Sequence, residues 1–258
     1  MRRGERHRWW ALCLFGVLNG LAFMLFAGSG SGPEQASAAG LPTAAYVSTQ
    51  PLEAGDVDLK DSRVYTFVGK TGLGHNHGVE GRLKSGRVVL GASEEAGELV
   101  FDMTSFDADT DAARRYVGLE GSTDKSTRQQ VNANMKGADV LNVQKFPLAT
   151  FRINSARLLE DRGRKGLPEY LLEGRFTLHG VTQPLRLQAT AEEKDGRIHL
   201  KGSFSVLQTS YGIRPYSKAF GAVGVTDKLT IYGDLWLQGP LPVSDPQTPL
   251  MSPDTDCR

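Results

Sequence analysis

Leu172-Glu173-Gly174-Arg175-Phe176-Thr177-Leu178, then His179-Gly180, then Val181-Thr182-Gln183-Pro184-Leu185-Arg186-Leu187-Gln188-Ala189 is the stretch on which the fold turns. Leu172, Phe176 and Leu178 share one parity, as do Leu185, Leu187 and Ala189, and charged or polar residues fill most of the positions between. Side chains of an extended chain point alternately to opposite faces, so this is the period of a half-buried strand. His179-Gly180 marks a turn between the two runs.

The same period recurs on both sides. Val64–Val68, Leu99–Met103, Ala149–Ile153, Ile198–Phe204 and Leu229–Leu237 alternate in the same way, and in most of them one face is apolar and the other carries charge. Asp195-Gly196 between polar residues is a hairpin signal. Many short strands separated by Gly, Pro and Asp turns predict an antiparallel sandwich or barrel. One interval breaks the pattern. Between Asp107 and Val143, Asp109-Thr110-Asp111 can open a helix at Ala112–Tyr116, and Thr127–Met135 reads as a second helix, with Val131 and Met135 four residues apart on one face. This insertion is expected across one end of the barrel.

The chain has 258 residues, 30 Lys and Arg against 29 Asp and Glu, and only two cysteines. A formal charge of +1 with no long basic stripe argues against a nucleic-acid partner. Cys13 and Cys257 both fall outside the strand-bearing region, so no disulfide framework is expected. Residues 1–8 are basic and precede an apolar run from Trp9 to Ala27. That run is longer than the usual signal-peptide core of about 7–15 residues and close to the roughly 20 that span a bilayer. Ala36-Ser37-Ala38 has the small-residue pattern of a cleavage site. Residues 1–38 therefore read as a signal peptide or membrane anchor with a Gly/Ser/Ala linker, residues 46–238 as the folded domain, and residues 239–258 as a disordered Pro-rich tail. The domain is expected to be extracytoplasmic, periplasmic or secreted, whether residues 9–27 are removed or retained as an anchor; a retained segment would give the chain its membrane contact.

Three further phrases stand in fixed order: Leu73-Gly74-His75-Asn76-His77, Lys145-Phe146-Pro147-Leu148-Ala149-Thr150-Phe151, and Leu178-His179-Gly180-Val181-Thr182-Gln183-Pro184. Together with Thr104-Ser105-Phe106-Asp107 and the ending Leu235-Trp236-Leu237 they resemble the YceI-like family over most of residues 60–237. The resemblance implies an all-β fold, an antiparallel eight-stranded lipocalin-like barrel with a short helical insertion, that binds a long isoprenoid lipid or quinone tail and uses no cofactor. The family's commoner form has a His-Ser pair where this chain has Asp61-Ser62. A single histidine stands there in place of His75-Asn76-His77, which resembles a Gly-His-Asn-His branch.

Alternation alone leaves open whether the inward face fills a core or lines a cavity; the resemblance implies a cavity. Its wall is assigned to Val64, Thr66, Val68, Leu99, Phe101, Met103, Ala149, Phe151, Ile153, Phe176 and Leu178. His75, His77, Tyr211 and Phe220 are assigned to the mouth, the last two in a Gly-rich aromatic loop that reads as a lid. His75 and His77 share a face if extended, within reach of one metal ion. Two imidazoles are an incomplete site, however, and no nearby Cys, Asp or Glu cluster completes it, so no metal is expected. His199 is expected to face solvent. No nucleophile elbow, phosphate loop or His-Glu-x-x-His segment occurs, so no catalytic residue is assigned and an enzyme is not expected. A filled structural or stress-related barrel and a His75/His77 metal protein are the alternative readings.

Overall fold

The computed structural model describes residues 52–242 except 161, 162, 164 and 165. The expected leader, the linker and residues 243–258 lie outside the described residues. Its elements run β1 (Arg63–Gly72), β2 (His77–Val88), β3 (Gly97–Ala108), α1 (Asp111–Tyr116), α2 (Lys125–Lys136), β4 (Leu148–Leu158), β5 (Glu169–Leu178), β6 (Val181–Lys194), β7 (Arg197–Leu207), β8 (Ser217–Lys218) and β9 (Val223–Gln238). Consecutive strands from β1 to β7 pair antiparallel, β7 pairs with β9, and β9 pairs back with β1. The eight long strands thus close on themselves, and closure removes the unpaired edges an open sheet would leave. The two-residue β8 adds only to the start of β9.

The turns follow their residues. Leu178 pairs with Val181 around His179 and Gly180, and Lys194 with Arg197 around Asp195 and Gly196. All four turn residues have positive φ, the conformation of a two-residue hairpin matched to strand twist. A Cβ on Gly180 would also lie 2.8 Å from the Phe146 ring, which packs beside His179.

One end of the barrel is plugged. Residues 52–61 cross it, bridging Asp56 to Arg87 and Val57 to Leu237, and the Arg197 guanidinium donates to both Asp58 (2.9 Å) and Asp61 (2.8 Å). Beneath the plug Val57, Val88, Ile153 and Leu237 are at most 3% exposed. Ser62 is fully buried, and its Oγ accepts from the Trp236 backbone N–H at 2.9 Å, fixing the plug to β9. The opposite end carries the starts of β2, β4, β6 and β9, with the two longest connections, 109–147 and 208–222.

In the fold itself the structure departs from the sequence reading at four places. β2 is not among the runs read as strands, because Gly81 and Gly86 interrupt its apolar face and its register against β3 shifts twice. The helical insertion divides: α2 lies over the open end, but α1 leans on the outer wall, where Tyr116 stacks on Tyr65 with ring centres 3.9 Å apart. Residues 239–242 do not leave the barrel at once, since Leu241 packs against the core and its N–H donates to Glu193. His199 is not solvent-facing: its ring lies flat on Trp236 and is hydrogen-bonded to Asp234 at 2.6 Å, leaving its side chain 11% exposed.

Candidate functional site: an apolar cavity with a histidine–aspartate rim

Inside the barrel, reaching from α2 down to Val64, Leu99, Leu200 and Leu235 above the plug, is a cavity of ≈ 210 Å³. A single water occupies only about 10–15 Å³, so this is a chamber and not a packing defect. Ten of the eleven residues assigned to the wall line it: Val64, Thr66, Val68, Leu99, Phe101, Met103, Ala149, Phe151, Phe176 and Leu178. Ile153 does not. It has the correct parity but sits deeper, 1% exposed in the packing under the plug. Leu187, Leu200, Phe204, Ile231 and Leu235 complete the wall from strands whose apolar faces the sequence showed, and Val79 adds the overlooked β2. The Phe101, Phe204 and Tyr211 rings each meet Phe176 edge-on, with centres 5.6–6.3 Å apart. The polar side chains on the lining are Thr66, His77, Asn134, Gln208 and Tyr216.

The mouth is covered by α2. Val131 and Met135, the pair on one helical face, point into the cavity, together with Val140 and Leu141 from the following turn. No residue of α2 is fully buried. Polar bonds hold the helix instead: Arg128 donates to Asp107 Oδ2 (2.8 Å) and to the Ala108 carbonyl, Asn132 exchanges bonds with Asp107 and the Ala108 N–H, and Lys136 donates to the Thr104 carbonyl. From the other side Asn134 Nδ2 donates to the Tyr216 hydroxyl at 3.2 Å. Residues 208–222 therefore do contribute to the cover, through Gln208 and Tyr216. The aromatics assigned to the mouth are placed otherwise: Tyr211 is 3% exposed behind Phe176, and Phe220 is fully exposed at the loop tip. Neither lines the cavity.

At the rim, His77 borders the cavity while His75 stands half exposed outside it. The fold adds a third group that sequence distance concealed. Asp109 Oδ2 lies 3.2 Å from His75 Nε2 and 2.7 Å from His77 Nδ1, and its side chain is fully buried. Local structure puts it there. At the end of β3 the Asp109 N–H still pairs with the Gly78 carbonyl, and its φ of 57° then turns the chain into Thr110, whose Oγ1 accepts from the Ala113 N–H as the cap of α1. Gly78 is required at that crossing, since a Cβ would lie 2.9 Å from the Ala113 carbonyl. Asp109 Oδ1 accepts from the Gly78 N–H and from Arg114, itself held by the Gly121 and Glu120 carbonyls. Burial alone would raise the Asp109 carboxyl, but hydrogen bonds from His77 and His75, the His77 charge and the Gly78 N–H outweigh it and hold it at about 2.

The YceI-like domain family pattern matches residues 55–236, nearly the whole barrel. This chain belongs to that family. The YceI-like barrel is 32% identical over 117 residues to a UPF0312 protein of Shewanella sp. (strain ANA-3), covering 43% of this chain and 58% of that protein. It is 36% identical over 88 residues to a UPF0312 protein of Shewanella oneidensis, covering 34% and 43%. The matched segment thus spans little more than half of those relatives' length at most. Among solved structures, Burkholderia cenocepacia BcnA aligns with a TM-score of 0.45 at 16% identity, covering 71% of this chain and all of that one. The Campylobacter jejuni YCEI protein aligns at 0.40 and 12%, covering 62% and 84%.

Proposed function

We propose that this YceI-like barrel is a non-enzymatic, extracytoplasmic carrier that holds a long apolar lipid of isoprenoid type in its chamber. The observation that carries the reading is the cavity itself: apolar on nearly every wall, sealed at one end by the plug, and covered at the other by a helix attached through polar bonds. Each methylene moved out of water contributes about 0.8 kcal/mol. Some ten of them would therefore supply about 8 kcal/mol, of the order of a micromolar affinity before the costs of association. Such a site needs no reacting group. The export part of the reading is supported by the basic residues before the Trp9–Ala27 run and by Ala36-Ser37-Ala38.

Native mass spectrometry of the folded protein, followed by solvent extraction and lipid analysis, tests it. A co-purified molecule with a long branched hydrocarbon chain is expected. Repeatedly empty preparations from lipid-replete cells, with no uptake of added polyprenol or quinone, would sink the carrier reading and favour a structural barrel.

A further inference from the structure

We infer that His75 Nε2, His77 Nδ1 and Asp109 Oδ2 form a binding site for one divalent transition-metal ion at the rim of the barrel. The sequence argued against a metal because two histidines lacked a third donor; the fold supplies it from 32 residues away. Each of the three residues offers a ligand atom within 4.8 Å of those of the other two. Ligands about 2.0–2.1 Å from a zinc ion stand roughly 3.3 Å apart when arranged tetrahedrally. The 3.2 Å from His75 to Asp109 already matches that spacing, and the 2.7 Å from His77 to Asp109 must open by about half an ångström as metal replaces the hydrogen bond.

The carboxylate is prepared for this role. Oδ1 is occupied by the Gly78 N–H and Arg114, which fix the group and leave Oδ2 directed at both imidazoles. Outer contacts of this kind orient the ligands in metal sites generally. The nearby guanidinium tempers the affinity for a dication, so the expected site is an exchangeable one and not a buried structural zinc. Two imidazoles and one carboxylate suit zinc, cobalt, nickel, copper or ferrous iron, and not the all-oxygen chemistry of calcium or magnesium. His75 is 44% exposed, which leaves the outer side of the site open to a water or another small ligand. The inference does not depend on what the barrel carries.

The test uses untagged full-length protein, stripped with chelator and dialysed. Zinc is titrated calorimetrically, and cobalt(II) is followed by its visible absorption. One equivalent per chain is expected, with cobalt bands of a low-coordinate nitrogen–oxygen site. His75→Ala should keep the wild-type melting temperature and lose stoichiometric binding, because His75 is half exposed. Asp109→Asn serves as the second variant: it retains the shape of the carboxyl and should also lose binding. Absence of saturable binding by the wild-type chain overturns the site, as does equal binding by folded His75→Ala. Either result leaves the lipid analysis, and hence the carrier reading, untouched.

Discussion

The two ends of this barrel are built from the same strands with the same alternation, and they do opposite things. At the plugged end the inward side chains Val57, Val88, Ile153 and Leu237 meet one another and leave no room. At the other end Ala149, Phe151, Phe176 and Ile231 face a chamber. What differs is the cover. Residues 52–61 bring Val57 into the interior and lock with backbone bridges and a doubly paired Arg197. Of apolar side chains α2 brings only Val131 and Met135 to the cavity, and it holds on through polar contacts at the surface. Strand patterning determines which face is apolar; what closes the end determines whether that face becomes core or cavity.

The comparison is broken most severely at the plug. Leu237→Ala removes a fully buried side chain from a site the surrounding strands cannot collapse around, which costs about 2–5 kcal/mol. For a domain of this size that is a fall of roughly 5–15 °C in melting temperature. Calorimetry checks it. A shift of a degree or less would mean that the plugged end is as loose as the mouth and would remove the contrast between them.

Ala149 probes the other half. It is 2% exposed yet lines the cavity, so Ala149→Trp directs its bulk into free space. Overpacking a filled core costs about 1–3 kcal/mol. The chamber should absorb the ring for less than that while the amount of bound lipid falls steeply. Thermal melts and extracted lipid per folded molecule are the paired measurements. A large destabilisation with unchanged occupancy would show that the cavity assignment is wrong at this position.

These residues also mark how far the sequence could be read. Ala149, Phe151 and Ile153 have one parity and one chemistry, and alternation identified all three as inward. It carries no information about depth, so Ile153 was assigned to a wall it does not touch. Asp109 was hidden for a different reason. Asp107, Asp109 and Asp111 are equivalent in the string; only the left-handed turn at Asp109 and its crossing at Gly78 bury one of them against histidines at and just before the start of β2. Val131 and Met135 were legible as a helical pair because three- and four-residue spacings are local. Tyr211 and Phe220 were not separable, since a loop's sequence does not say which aromatic turns inward.

A smaller effect on stability than at the plug, and the sharpest test of the contrast, is expected at α2. Arg128→Ala removes an ion pair with Asp107 whose partners are about one-third and two-fifths exposed, and such pairs are worth about 0.2–1 kcal/mol. Asn134→Ala removes a single neutral hydrogen bond to Tyr216, worth about 1 kcal/mol. The two contacts hold the helix from different sides, to β3 and to the loop before β9. Neither supports the plugged end, so the double variant should melt roughly 2–8 °C below wild type. Local opening is governed by the few contacts of the segment that opens and not by global stability. Release of a fluorescent polyprenyl or quinone analogue should therefore accelerate several-fold in each single variant and more in the pair, with only a modest fall in melting temperature. An unchanged release rate in the double variant would mean that ligand leaves by a route other than past α2, and the covered end would then be a second plug.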